Sequence, residues 1–258
     1  MAETGCSSRV KVENKVWKVD VAGLHYQELN SLLRTLDRNG VERIELYNVH
    51  GQRYIGTNLK ADMPLDIHGT PGNDLGAFMS SPHIVVHGNV QDGAGNTMNN
   101  GQIVVHGHAG DVVGYSMRGG KLFIRDDVGY RAGIHMKQYK DKIPVLMVGG
   151  TAQDFLGEYM AGGILIVLGL NKIDDEKNNP RFVGTGMHGG TIYLRGEAKN
   201  LGKDVEKVDL DAEDIGLLKR LTEEFCSYFN FDTERILNHK FSKIVPVSHR
   251  PYGRIYTY

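Results

Sequence analysis

A short apolar tetrapeptide recurs along the middle of this 258-residue chain at a spacing of 19 residues. Seven copies are present, the later ones after insertions, and they begin at Leu65, Ile84, Ile103, Leu122, Val145, Ile164 and Ile192. A unit of this length holds one strand and its turns, because a helix pair or a four-stranded propeller blade needs more residues. Such units bury no core alone and are stable only when they stack. The repeat therefore predicts a parallel β-helix of about seven rungs.

Glycine and methionine mark further positions of the same repeat. Of the 33 glycines, 25 lie between residues 65 and 196, where glycine allows left-handed backbone at turns. The sequence Gly-x-x-Met occurs six times and predicts a second buried stack, formed by Met79, Met98, Met117, Met136, Met160 and Met187. Within each tetrapeptide the first and third positions are apolar, which predicts a strand with those positions inward. In the fifth and sixth copies this rule places four residues inside, namely Val145, Met147, Ile164 and Ile166.

The two ends of the chain predict different structure. Residues 16–22 and 41–49 read as strands, and the helix between them ends before Gly40. Asp211 opens a C-terminal amphipathic helix, and a short second helix at about residues 232–239 leads into an extended tail. The fold class is therefore mainly β, with an N-terminal βαβ element and C-terminal helices. The expected divisions are an N-terminal βαβ cap at 1–62, the parallel β-helix at 63–200, and the C-terminal helices and tail at 201–258.

The outward positions of the middle rungs are also apolar. A strand that is apolar on both faces is covered on both, so this outward stripe should be buried beneath another element. Its predicted members are Val85, Val104, Phe123, Leu146, Val148, Leu165 and Val167. The C-terminal helix has a matching apolar face, formed by Ile215, Leu218, Leu221, Phe225 and Phe229. The cover could be this helix, the N-terminal βα unit or another protein. We expect the chain's own terminal elements to cover at least part of the stripe, and any part that the helix leaves open is the best candidate for a partner-subunit interface.

Two motifs could carry chemistry. Residues 184–190, Gly-Thr-Gly-Met-His-Gly-Gly, match the Gly-x-Gly-x-x-Gly of dinucleotide-binding sites. Such a site needs a helix directly after the motif to hold the pyrophosphate, whereas a strand follows here, so we interpret these residues as a turn of the repeat. Residues 171–181 are a polar loop inserted in the sixth turn.

Histidines occupy the same position of three successive rungs, at His68, His87 and His106. Equivalent positions of stacked parallel strands lie about 4.8 Å apart, so the three side chains should form a row. Parallel side chains favour an outward polar row over a zinc site, which needs convergent ligands. A metal site remains the alternative, since imidazoles are common ligands. His135 and His188 flank methionines and are interpreted as turn residues.

Composition excludes several functional classes. The formal net charge of -1 gives no electrostatic reason to expect a nucleic-acid partner. No apolar run reaches about 18 residues and no secretory signal is evident, so we expect a cytoplasmic protein without a membrane span. The cysteines are Cys6, interpreted as an inert tail thiol, and Cys226, interpreted as packing; two cysteines cannot build a four-cysteine cluster. No nucleophile elbow, P-loop or His-Glu-x-x-His motif is present, so we assign no catalytic, cofactor-binding or metal-binding residue.

The glycine pattern resembles the GXGXG domain at the C-terminal end of the glutamate synthase large (alpha) subunit. The residues that carry the resemblance best are Gly107-His-Ala-Gly110-Asp-Val-Val-Gly114 and the segment 184–190. The flanks, through Arg250-Pro-Tyr-Gly253, are similar to the free-standing archaeal-type version of this domain. The same β-helix also occurs in one of the subunits of formylmethanofuran dehydrogenase.

The resemblance implies a single-stranded right-handed parallel β-helix and a non-catalytic role in a glutamate synthase-like complex. Such a complex makes L-glutamate from L-glutamine and 2-oxoglutarate with NAD(P)H. The implied partners are an amidotransferase part and a synthase barrel, and homo-oligomers are possible. FMN, an iron–sulfur cluster and FAD would then belong to partner subunits, with no cofactor bound by this chain. The alternative is a component of a formylmethanofuran dehydrogenase complex, similar to the β-helical subunit of that enzyme.

Overall fold

The structure, a computed structural model, describes residues 9–171 and 180–248. The strands are β1 (Val10–Glu13), β2 (Val16–Asp20), β3 (Arg43–His50), β4 (Pro64–Thr70), β5 (His83–His87), β6 (Gln102–Val105), β7 (Lys121–Ile124), β8 (Val145–Val148), β9 (Ala161–Val167), β10 (Gly189–Arg195), β11 (Val205–Val208) and β12 (Phe241–Pro246). The helices are α1 (Tyr26–Arg38), α2 (Ala212–Phe229) and α3 (Thr233–Leu237). Of the predicted features, residues 172–179 of the inserted loop, Cys6 and the end of the tail lie outside the described residues.

The described strands form one sheet in which β2 to β10 pair in parallel and in chain order. Strands β4 to β10 are the seven predicted rungs, and the predicted parallel β-helix is confirmed. Antiparallel strands close both ends, with β1 beside β2, and β12 and then β11 beside β10. Successive turns also bond to one another away from the sheet, as between Val90, Ala109 and Val128.

The interior of the coil contains a stack of methionines and two columns of strand residues, the first of which we call the column. Register-matched residues of neighbouring strands form the column, namely Leu65, Ile84, Ile103, Leu122, Leu146, Leu165 and Ile192, each with no exposed surface. The six predicted methionines are all buried, which confirms the second stack. Helix α1 buries Leu29, Leu33 and Leu36 in the same core and ends at Arg38, with Asn39 as its C-cap before Gly40, as predicted.

The predicted inward positions of β8 and β9 are wrong by one residue. Leu122 pairs with Leu146, and Leu146 pairs with Leu165, so these residues lie inside. The residues predicted to be inside, Val145, Met147, Ile164 and Ile166, face outward. A one-residue shift of register moves every side chain of a strand to the opposite face. Four consecutive apolar residues allow either register, and for this reason the alternation rule failed here.

Glycines of the Gly-x-x-Met sequences lie directly against the column. Gly157 has a φ of +66°, and a Cβ there would lie 2.5 Å from Cδ1 of Ile192 in the next turn. Gly133 has the same relation to Leu165, at 2.3 Å. At these two positions both the left-handed backbone and the close approach require glycine.

Alanine substitution of two adjacent residues tests the register of β9. We expect Leu165→Ala to lower the free energy of unfolding by about 2–5 kcal/mol, since it opens a cavity in the column. Ile164→Ala should cost about 1–2 kcal/mol, because Ile164 is only partly buried on the outer face. Urea unfolding measures both values. A larger loss for Ile164→Ala would contradict the register.

A pair of glycine substitutions tests the contact between turns. Gly157→Ala should lower the free energy of unfolding by about 1–3 kcal/mol through backbone strain and the clash with Ile192. Gly216→Ala is the control: no atom lies within 4 Å of a Cβ at this position in α2. Alanine there should stabilise the protein by about 0.5–1 kcal/mol. Thermal unfolding of the two variants should therefore shift in opposite directions, and a stabilising Gly157→Ala would disprove the close approach.

Candidate interaction surfaces

Helix α2 covers the C-terminal half of the outer sheet face. The strand residues beneath it are Val104, Phe123, Val145, Met147, Ile166, Leu168 and Tyr193. The predicted cover is confirmed through the buried helix residues Leu218, Leu221, Phe225 and Phe229. Four predicted members of the stripe were wrong, because Leu146, Val148, Leu165 and Val167 lie in the inner core. The prediction that Ile215 belongs to the covering face of the helix was also wrong, since Ile215 is 60% exposed.

A polar network anchors the beginning of α2. Asp211 and Asp214 form a capping box, in which each side chain accepts a hydrogen bond from the backbone N–H of the other. The hydroxyl of Tyr193 donates to Oδ1 of Asp214 at 2.5 Å, and Nζ of Lys243 donates to Oδ2 at 2.6 Å. Burial acts to raise the pKa of Asp214, but the hydrogen bonds from Lys243 and Tyr193 outweigh it and hold the pKa below its ordinary value. Burial and the bond to Asp214 raise the pKa of Tyr193.

Asp214→Asn tests this anchor through the pH dependence of stability. Because the pKa of Asp214 is lowered on folding, its contribution is present above the unfolded-state pKa of about 4 and is lost as pH falls through the folded-state value. At neutral pH the variant should lose about 1–3 kcal/mol of unfolding free energy. The difference from wild type should shrink in acid. Glu213→Gln, an exposed neighbour, is the control and should change stability by less than about 0.5 kcal/mol.

The three predicted histidines form a stacked row on the outer face, beside the end of α2. The ring centroids of His68 and His87 are 4.6 Å apart, and those of His87 and His106 are 5.6 Å apart. Tyr47 extends the row, with its ring 4.5 Å from that of His68. The outward row is confirmed. Among residues 9–171 and 180–248, no group of three or more His, Cys, Asp or Glu side chains is arranged to hold a metal ion.

The other candidate residues have structural surroundings. Residues 184–190 form a turn in which Gly184 and Gly186 have φ near +69° and +68°, and β10 begins within the motif. The turn interpretation is confirmed. Cys226 is buried on α2, and burial raises the pKa of its thiol. His135 lies in a turn with a φ of 55°.

Exposed aromatic side chains mark a wall of the coil that is distinct from the sheet. We call this surface the turn face and define it by Tyr115, Tyr130, His135, Phe155, Tyr159 and Phe182. The ring of His135 lies 5.9 Å from that of Tyr115 and 5.3 Å from that of Tyr159. A second row places Phe155 4.9 Å from Phe182, with the Arg131 guanidinium 5.0 Å above the Phe155 ring. Tyr130, Tyr159 and Phe182 are each nearly half exposed.

The backbone of the turn face is unfavourable for such residues. Phe155, Tyr159 and Phe182 have φ values of 63°, 52° and 62°, a region that large side chains seldom adopt. The aromatic rings bury little surface in return, since Tyr159 is 46% and Phe182 49% exposed. The same left-handed φ recurs at the equivalent positions of other turns, as at Val112 and Thr97, so it belongs to the coil, and the exposure of the rings is the feature that points to binding. We did not predict this surface; the signal that could have found part of it is that Phe155, Tyr159 and Phe182 each directly precede a buried residue.

Together these features define a β-solenoid protein with one sheet face covered by its own helix and one wall of exposed aromatics. The chain belongs to the GXGXG motif family, whose model matches residues 30–247 and whose domain is found in the large subunit of glutamate synthase. It is 50% identical over 253 residues to the uncharacterized protein MJ1350 of Methanocaldococcus jannaschii, an alignment that spans 93% of this chain and 95% of the relative. In the described part of the chain, no helix has the length and apolarity needed to cross a membrane.

Proposed function

We propose that this chain is a non-catalytic structural subunit of a glutamate synthase-like complex. In this role it holds an amidotransferase part and an FMN- and iron–sulfur-containing synthase part in place while they form L-glutamate. The observation that carries the proposal is the family match, which begins in α1 and extends past the end of β12. The GXGXG domain therefore accounts for nearly the whole chain.

The turn face is the surface that we assign to the partner subunit. Tyrosine and phenylalanine side chains contribute large contact areas at protein interfaces, and tyrosine is enriched among residues that dominate binding energy. The charges on this surface are largely internally paired, because Arg131 bonds Glu158 at 2.9 Å and Arg181 bonds Asp154 at 2.7 Å. A surface of paired charges and exposed rings suits a partner with an apolar docking surface.

The cofactors belong to the partners in this proposal. FMN and the iron–sulfur cluster would lie in the synthase part, and FAD in a separate flavoprotein that supplies electrons from NAD(P)H. The cysteine content of the chain agrees with this division, because two cysteines cannot provide four cluster ligands. We place the assembly in the cytoplasm.

Affinity purification of the native assembly through a tag on this chain tests the proposal. A matched pair of variants makes the test specific to the C-terminal part of this wall, because Phe78 lies on the same wall several turns away, and Phe182 and Phe78 are both 49% exposed and both have left-handed backbone. Asparagine tolerates that backbone. We expect Phe182→Asn to weaken recovery of the partner about tenfold or more, as for loss of an interface residue worth about 1.4 kcal/mol. Phe78→Asn should retain the partner.

The identity of the purified partner decides between the two complexes. A flavin- and iron–sulfur-containing synthase chain would support the glutamate synthase-like assembly. A molybdenum- or tungsten-containing chain would instead support the alternative, in which this chain is a component of a complex related to formylmethanofuran dehydrogenase. Recovery of this chain alone from native extract would contradict both, and equal recovery with both phenylalanine variants would remove the turn face as the docking surface.

A further inference from the structure

The C-terminal end of α2 rests on two imidazole rings from the sheet. Phe229, the last residue of the helix, meets the ring of His106 at a centroid distance of 5.0 Å and an interplanar angle of 75°. Tyr228 meets the ring of His83 at 5.9 Å and 78°. Nε2 of His83 is buried and has no hydrogen-bond partner among the described residues. Both rings are partly buried, and burial favours the neutral form of an imidazole.

His106 is also the last member of the histidine row. His87 lies between His68 and His106, and its Nε2 is 3.1 Å from Oδ1 of Asp66. The other oxygen of Asp66 is 2.8 Å from Nη2 of Arg43, so an arginine already neutralises this carboxylate. Like charges on rings about 5 Å apart repel one another. A proton added to one member of the row therefore opposes a proton on the next.

The charged groups around these rings do not reverse that preference. Burial is the largest influence on His83 and lowers its pKa, with Arg43 acting in the same direction and Asp66, Asp62 and Glu224 acting against it. On α2, Glu224 is itself bound to Nζ of Lys121 at 2.5 Å.

Burial is also the largest influence on the pKa values of His68 and His106. Burial and then His87 lower the pKa of His68, against the opposing carboxylates of Asp66 and Glu45. Burial, His87 and Arg125 lower the pKa of His106. Arg125 is held by Asp126, which reduces but does not remove its charge near the ring.

We propose that His83 and the histidine row form a proton-sensitive latch, which holds the end of α2 on the sheet at neutral pH and releases it in mild acid. Protonation places a charge on His83 or His106, which are partly buried against Tyr228 and Phe229, and for His106 it places that charge beside the next imidazole of the row. Release uncovers Val104 and Phe123, which lie beneath the helix. The latch therefore controls an apolar surface that is separate from the turn face, and it does not depend on the identity of the complex.

The direction of the pH effect follows from the lowered pKa values. A histidine whose pKa is lowered in the closed state binds more protons in the open state. The closed state is therefore most stable above the unperturbed histidine pKa of about 6.5. It becomes less stable as pH falls through the lower pKa that the histidine has in the closed state. Each lowering by about one pKa unit changes the opening equilibrium by up to about tenfold.

Hydrogen exchange of the full-length chain measures this opening. We expect the amides of residues 222–230 to lose protection about tenfold or more between about pH 7.5 and about pH 5.5, which lie either side of the ordinary histidine pKa. Protection must be corrected for the intrinsic exchange rate at each pH. The double variant His83→Phe with His106→Phe keeps aromatic contacts but cannot be protonated, so its corrected protection should change less than about twofold. His239→Gln is the control, since this histidine is exposed and is not part of the row, and it should behave as wild type.

Three outcomes would overturn the latch. Wild-type protection at the end of α2 could be equal at both pH values, or the double variant could keep the full pH effect. If the double variant does not fold, NMR titration of the wild-type imidazole protons replaces it. The latch requires His83 and His106 to titrate together with the loss of protection, and titration that does not accompany that loss would disprove it.

Discussion

Each turn of this protein hydrogen-bonds to the next in register, and most other features of the molecule depend on that constraint. The bonds run through the sheet and continue around the turns, as from the N–H of Thr97 to the carbonyl of Tyr115. Equivalent residues consequently lie above one another, so a column of leucine and isoleucine fills the interior. The same spacing leaves no room for side chains at Gly133 and Gly157, which face the column. The glycine content of the chain is thus a steric consequence of stacking turns around large apolar residues.

Stacking in register also patterns the outside of the coil. Any residue type that recurs in the repeat becomes a row, so three histidines align on the sheet and two aromatic rows align on the turn face. The consequences differ with the chemistry of the side chain. Stacked aromatic rings add contact area to a surface, whereas stacked imidazoles can be protonated and then repel one another. One geometric rule therefore produces both the surface that we assign to a partner and the group that we expect to respond to acid.

The repeat was predictable from sequence because its period and its glycines are independent signals of the same architecture. The register of β8 and β9 was also predictable, but from the spacing of the methionines rather than from the alternation of apolar residues within each strand. Leu122 and Leu146 are 24 residues apart, as are Met136 and Met160, so the methionine spacing already contained the correct alignment. Strands β1, β11 and β12 carry no repeat and were not predicted as strands. The turn face was missed because sequence does not show the positive φ of a residue such as Phe182, so an aromatic next to a buried position was not recognised as exposed.

The ends of the solenoid explain why its sides are the surfaces left for partners. An open parallel coil exposes unpaired strand edges, which favour addition of further strands. Here short antiparallel strands occupy both ends, and the outermost ones, β1 and β11, carry exposed charged residues such as Lys11 and Glu206. Charged edge strands oppose end-to-end association. Because α2 covers part of the outer sheet face, the turn face is an apolar wall that stays open, and a coil that presents such a wall fits the role of a structural subunit.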